Sequence, residues 1–200
     1  MSERTAEIER RTGETSVSLK LALDGSGAGT RATGVGFLDH MLDLLARHGA
    51  LDLEANVQGD LQTGSHHTVE DTGIVLGQAL DRALGERRGI ARYGFASIPM
   101  DEARAACSID VSGRPYCSVE GFDRLPSGDI AGFEHEAAEE FFRAVASAAR
   151  LTLHIDLQAG TNAHHMIEAC FKAFARALRA AVTIDPRETG VPSTKGTLTS

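Results

Sequence analysis

Residues 15–22 (TSVSLKLA) alternate polar and apolar positions and are rich in β-formers, which predicts a strand with one face turned to a core; DGSGAG after it reads as a turn. The period then changes. In GFLDHMLDLLARH, residues 36–48, apolar side chains recur at helical spacing at Phe37, Met41, Leu42, Leu44 and Leu45, and Gly49 ends the run. LDLEANV, Leu51 to Val57, returns to alternation, and a helix follows from the His66 region to about Leu84, closed by GERRG. The same order then recurs. Residues 93–99 and 104–111 read as strands, SGRPY as a turn, 135–149 as a helix, Leu151–Leu157 (LTLHIDL) as a strand, and a last helix runs to near Val182. Leu51 and Leu53 are matched by Leu151 and Leu153 at an offset of 100. Self-similarity at so long a period points to a duplicated unit. The pattern predicts one α+β domain of two βαβα-like halves, about 10–90 and 91–190, packed about a pseudo-twofold. Two helices per half should cover one face of a mainly antiparallel or mixed sheet.

The repeat also carries chemistry. HHTVEDTGIVLGQAL begins at His66 and HHMIEACFKAFARAL at His164, so HHxxE occurs twice, 98 residues apart. Successive helical residues are about 100° apart. With His66 at zero, His67 falls near 100° and Glu70 near 40°. The two imidazoles diverge, which suits two ions better than one, with the glutamate joining one of them. His164, His165 and Glu168 repeat this geometry. Imidazole plus carboxylate suits Mn, Fe, Co, Ni or Zn better than Ca or Mg. A histidine pair alone is more often ordinary surface or core histidine; its recurrence at matching positions favours a metal. HExxH is absent, which weakens a metalloprotease reading. His40 and Glu140, again 100 apart, each begin an apolar helical face where a polar side chain needs a partner, and they are the candidates for the last pair of ligands. His48 and His154 lack such support, and His135 is a loop or helix-start histidine.

Composition narrows the partners. Apolar residues make up 42% of the 200, no apolar run reaches the ~18 residues of a membrane span, and the charged N-terminus lacks the apolar stretch of a signal peptide. Three cysteines without CxxC spacing suit a reducing cytosol, so a cytoplasmic location is expected. A formal net charge of −8 without a basic run argues against nucleic acid. Small anions are another matter. Arg92 in RRGIARYG, Arg114 in SGRPY, and Ser193 and Lys195 in GVPSTKGTL are candidates for holding phosphate, although basic residues in turns are mostly just solvated.

Taken together, GFLDHMLDLLARHG, SHHTVEDTGIVLGQAL, RRGIARYG, IPMDEA, DVSGRPY, HHMIEACFKAFARALRAAV and GVPSTKGTL, ordered from about Arg11 to Leu198, resemble the imidazoleglycerol-phosphate dehydratase family. The resemblance implies a ribosomal protein S5 domain 2-like fold, two manganese ions per site, and ligands from both repeats meeting across a subunit interface in a cage of 24 subunits. It places metal ligands at His40, His66, His67, Glu70, His164, His165 and Glu168, and substrate contacts at Glu14, Arg92, Arg114, Ser193 and Lys195. One position departs: where the family pattern carries histidine, this chain has Glu140. A carboxylate still suits manganese but changes the charge of the site by one unit. His135, five residues upstream, is the less favoured substitute, because five residues along a helix point to a different face.

The implied reaction is dehydration of imidazole glycerol phosphate to imidazole acetol phosphate in histidine biosynthesis. No carbonyl acidifies the carbon that loses its proton, so electrons must come from the ring, bound to metal as imidazolate and expelling the adjacent hydroxyl. Glu168 or Glu14 then serves as acid/base. The alternatives are a dinuclear-metal hydrolase of a phosphorylated heterocycle, a paralogue of reduced or altered specificity, and a metal-binding shell protein without activity. The phosphate set argues against the last.

Overall fold

The alternation at residues 15–22 becomes β2 (Thr15–Ala22), with Val17, Leu19 and Leu21 buried on one face. The computed structural model describes residues 4–198. β2 is the centre of a sheet ordered β1–β2–β4–β3, in which β1 (Thr5–Arg11) and β4 (Asp52–Gly59) pair antiparallel to β2, and β3 (Arg31–Ala32) lies parallel to β4. The second sheet is ordered β5–β6–β10–β7: β5 (Tyr93–Met100) and β10 (Thr152–Ala159) flank β6 (Ala103–Asp110) antiparallel, and β7 (Tyr116–Glu120) runs parallel to β10. A small hairpin, β8 (Asp129–Ile130) with β9 (Phe133–Glu134), stands apart from both sheets.

Among the described residues, four α-helices fill the space between the sheets: α1 (Gly36–Gly49), α2 (His66–Leu84), α3 (Ala137–Ala149) and α4 (Ala163–Val182). α2 lies on β1, β2 and β4, while α4 lies on β5, β6 and β10. The helices then pair crosswise, α1 against α4 and α2 against α3, so that one apolar core joins both halves. Each sheet keeps its helical face dry and its other face wet, as the alternating burial of β4 and β10 shows. The fold is therefore α+β with mixed sheets, but the first half runs βββαβα rather than βαβα, and the second keeps that order with the β8–β9 hairpin added before α3. The extra strands escape the hydrophobic pattern because they are short or lie at sheet edges. Predicted helix 135–149 begins two residues later, at Ala137.

Local detail repeats at the same offset. α1 and α3 both end on a left-handed non-glycine residue, Ala50 (φ 53°) and Arg150 (φ 57°), a conformation that costs such residues roughly 1–2 kcal/mol. In both, the next leucine amide closes the helix: Leu51 donates to the Ala46 carbonyl (3.0 Å) and Leu151 to the Ala146 carbonyl (2.9 Å). The cost is offset by burying Leu51 and Leu151 completely.

β5 approaches α4 so closely at Gly94 that an added Cβ would lie 1.9 Å from the Ala177 carbonyl oxygen. Gly94→Ala must push strand from helix, and overpacking of this kind costs about 1–3 kcal/mol. Urea or thermal unfolding at fixed protein concentration should show that loss; unchanged stability would contradict the packing.

Candidate metal centre

The helical geometry sends the two histidines of each pair in different directions. The ring planes of His66 and His67 lie 83° apart and those of His164 and His165 82° apart. The first histidine of each pair faces its own glutamate: His66 Nε2 is 3.7 Å from Glu70 and His164 Nε2 is 3.0 Å from Glu168. The second faces a different acid. His67 Nδ1 meets Asp60 at 3.1 Å, and His165 Nδ1 meets Glu102 at 2.7 Å. A carboxylate on Nδ1 fixes the proton there and leaves Nε2 as the outward lone pair, the arrangement in which histidine ligates metals.

α1 supplies the third donor of the second motif. His40, one turn into α1, brings Nε2 to 3.2 Å from the same Glu168 oxygen. One ligand atom each from His40, His164 and Glu168 lies within 4.8 Å of the others. Donors each about 2 Å from a shared ion lie within roughly 4 Å of one another, so this nitrogen and oxygen set fits a divalent transition metal with small side-chain adjustment. Lys172, one turn further along α4, holds the other Glu168 oxygen at 2.5 Å. Burial pushes the Glu168 carboxyl up, but Lys172, His40 and His164 outweigh it and keep it below its ordinary range. The three thiols stay out of this chemistry. Burial raises Cys107 and Cys170 strongly and pushes Cys117 up to about 11, so none is a ready thiolate.

The first motif is built around α2. Behind it, buried Asp71 pairs with Arg10 at 2.5 Å and accepts the Thr15 hydroxyl, which fixes the rotation of α2 on β1 and β2. The neighbouring Glu14 carboxylate stands 3.8 Å from His67 Nε2 and is 57% exposed. Glu140, at the start of α3, is half-buried and lies close enough to help raise Cys117; among the described residues it does not join the His40 group. His135 does not swing towards the ligands. It is 6% exposed, and its Nδ1 is held by the Pro126 carbonyl at 2.5 Å.

The anion candidates gather elsewhere. Arg92 is clamped by Asp110 (2.7 and 3.1 Å), donates to the Pro192 carbonyl (2.8 Å) and lies 4.7 Å over the Tyr93 ring. The segment carrying Ser193 and Lys195 continues to Leu198, whose carbonyl presses on Gly113, beside exposed Arg114. Arg92, Arg114, Ser193 and Lys195 thus line one edge, next to the last turn of α4, where the Arg92 amide bonds Ala181. His164 and His165 open the same helix. Its 20 residues span about 30 Å at 1.5 Å per residue. Within one chain His164 and His165 are therefore about a helix length from the anion candidates, and two wide clefts, of about 500 and 590 Å³, are lined by neither group.

Sequence reasoning missed Asp60, Glu102, Lys172 and Asp71. Glu102 lay in IPMDEA, noted without a role; the others had only their nearness to HHxxE as a signal.

The Glu102–His165 contact has a titratable consequence. Its hydrogen bond to His165, joined by the Asn162 and Thr161 amides, brings Glu102 down to about 2, and Glu102 raises His165 above its ordinary value. The depressed carboxylate contributes stability above the usual carboxylate range and loses it towards pH 2. The raised histidine contributes below its ordinary value and loses its part as pH rises through the raised one. In metal-free Glu102→Gln, His165 should titrate at lower pH than in the wild type by NMR; an unchanged midpoint would contradict the pairing.

A model of the imidazoleglycerol-phosphate dehydratase family matches residues 33–178. The chain is 55% identical over 195 residues to the imidazoleglycerol-phosphate dehydratase of Moorella thermoacetica, covering 98% of each, and 54% identical over 198 residues to that of Symbiobacterium thermophilum, covering 99% of this chain and 94% of the other. It superposes on the Staphylococcus aureus enzyme with a TM-score of 0.81 at 43% identity, covering 90% of this chain and 99% of that one. For the Pyrococcus furiosus enzyme the TM-score is 0.80 at 36% identity, with 95% and 99% covered. Matched along nearly its whole length in sequence and in fold, the chain belongs to the imidazoleglycerol-phosphate dehydratase family.

Proposed function

We infer that this chain is an imidazoleglycerol-phosphate dehydratase, a hydro-lyase that removes water from imidazole glycerol phosphate to give imidazole acetol phosphate in histidine biosynthesis. The observation that carries the metal part of this reading is the convergence of His40, His164 and Glu168 on one point, with carboxylates behind His67 and His165. Two manganese ions are the proposed cofactors, held by His40, His66, His67, Glu70, Glu140, His164, His165 and Glu168. Glu140 enters by position: it stands on α3 as His40 stands on α1, and the crossed packing puts α3 against α2 as α1 lies against α4. When bound, the ions supply Lewis acidity that lowers the pKa of the coordinated substrate ring.

The chain's own residues do the rest. Glu168 divides its two oxygens between the histidines and Lys172, which suits a fixed ligand. Glu14 is exposed beside His67 with no such commitment, and it is the better candidate to take the proton from the carbon next to the one that loses hydroxyl. The resulting enol becomes the ketone. Arg92, Arg114, Ser193 and Lys195 hold the phosphate and align the chain of the substrate.

A substrate only a few bonds long does not span α4. We therefore propose that each site is completed between chains, in a homo-oligomer built as a 24-subunit cage. Exposed Tyr93, Phe95 and Tyr116 on the outer face of the second sheet give such contacts apolar area. The matched strand orders, crossed helix pairs and repeated helix ends support two duplicated halves, about 10–90 and 91–190 of one domain, related by a pseudo-twofold in a ribosomal protein S5 domain 2-like arrangement. Free thiols in all three cysteines and no described helix long and apolar enough to cross a membrane accord with a cytoplasmic enzyme.

Manganese-loaded protein should convert imidazole glycerol phosphate to the ketone, lose turnover on chelation and regain it with Mn²⁺; full turnover by the metal-free protein would refute the scheme. Glu14→Gln should lower kcat by about 10²–10⁴-fold while manganese content stays at the wild-type level. A normal kcat would remove Glu14 from the proton transfer.

A further inference from the structure

The two histidine helices begin differently. In α4 the start is made locally: the Asn162 side chain caps the amides of His164 (2.9 Å) and His165 (3.4 Å), as an N-cap normally does. One acid from the β5–β6 turn, Glu102, anchors both the preceding Thr161 and Asn162 amides (3.1 and 2.8 Å) and His165 itself. In α2 the residue at the cap position is Ser65, and its hydroxyl makes no cap to the helix. It turns away to Glu134. The Ser65 amide donates to both Glu134 oxygens (3.1 and 3.0 Å), the hydroxyl donates to Oε2, and the Glu134 amide returns a bond to the hydroxyl at 3.4 Å.

Glu134 comes from the other half of the chain, 69 residues away, on β9. The contact is built in. Gly64, at φ 114°, leaves room where a Cβ would sit 2.6 Å from the Glu134 carboxylate, and Ser65 is buried. Glu102 both orients His165 and anchors the residues before the Asn162 cap; in the first motif these tasks are divided, with Asp60 orienting His67 and Glu134 holding the helix start. The same short strand also leans on the second motif. Phe133 packs edge-on against Phe37 (5.3 Å between centroids), and Phe37 packs edge-on against His164 (5.0 Å).

We propose that Glu134 is a positioning residue for the first histidine motif: from the second half of the chain it clamps the N-terminus of α2 and thereby sets where His66 and His67 present their ring nitrogens. Its consequence for manganese rests on the metal reading above, whereas the clamp itself is testable without metal. Orienting partners one step behind a ligand change metal affinity about 10–100-fold when removed.

Glu134→Ala, Glu134→Gln and Ile130→Ala are compared with the wild type. Ile130 lies in the same hairpin, partly buried against the core, and makes no hydrogen bond to Ser65, so its truncation loosens the hairpin while leaving the Glu134–Ser65 bonds. In metal-free protein, amide exchange at 65–69 should quicken about 10–100-fold in Glu134→Ala, while residues 163–168 keep their protection. With metal, Glu134→Ala should bind Mn²⁺ about 10–100-fold more weakly, and Glu134→Gln, which keeps an acceptor oxygen, should recover most of both losses. Unchanged exchange at 65–69, a glutamine variant as impaired as the alanine one, or equal losses in Ile130→Ala would each overturn the proposal. A wild-type protein that takes up no Mn²⁺ overturns the metal reading instead, and the exchange data still decide the clamp.

Discussion

Neighbouring residues on a helix point about 100° apart, and the whole arrangement around the paired histidines answers that constraint. One imidazole can share an ion with the glutamate a turn away, while the other must look elsewhere. In both halves the second histidine is met by a carboxylate from outside its helix, Asp60 for His67 and Glu102 for His165. The helices themselves have to be held at fixed rotation for the divergence to be useful. The crossed packing of α1 with α4 and α2 with α3 does this, and Phe141 and Phe142 of α3 stack on Phe171 and Phe174 of α4 to join the two pairs. A side chain at the core of that cluster and a histidine at its rim are parts of one rigid body.

The two halves share a plan and differ in how they finish it. Strand order, helix pairing and the left-handed helix ends at Ala50 and Arg150 repeat. The helix starts do not. Asn162 caps its own histidines, whereas Ser65 depends on Glu134 from across the chain. The second motif has His40 within reach and Lys172 to keep Glu168 ionised. The first has Glu14 near His67 and is backed by Asp71 and Arg10. A repeated plan thus carries unequal charges: Glu168 is held by Lys172 and two histidines, whereas Glu14 is exposed beside His67.

Periodicity made the central elements legible. β2, α1, β4, α2, β10 and α4 each bury one face, and their apolar spacing says so. β1 escaped because TAEIERR lies at a sheet edge and fully buries only Ala6. β8 and β9, two residues each, fall below the length at which any period can register, yet they carry Phe133 and Glu134. The candidate ligands stood out because HHxxE occurs twice. Partners such as Asp60, Glu102 and Lys172 were not, since a lone carboxylate or lysine looks alike in sequence whether it is solvated or aimed at a histidine. Glu140 was singled out by its offset from His40, and only its place at the start of α3 adds to that.

The separation of His164 and His165 from the candidate phosphate residues by the length of α4 leads to the central claim, that active sites are assembled from more than one chain. Mixed assembly addresses it directly. His164→Ala chains and Lys195→Ala chains, each without measurable activity alone, are unfolded together, refolded as mixed oligomers and assayed for ketone formation. Shared sites predict that activity returns, because some interfaces then join an intact metal set to an intact phosphate set. Mixed oligomers as inactive as either parent would contradict the account.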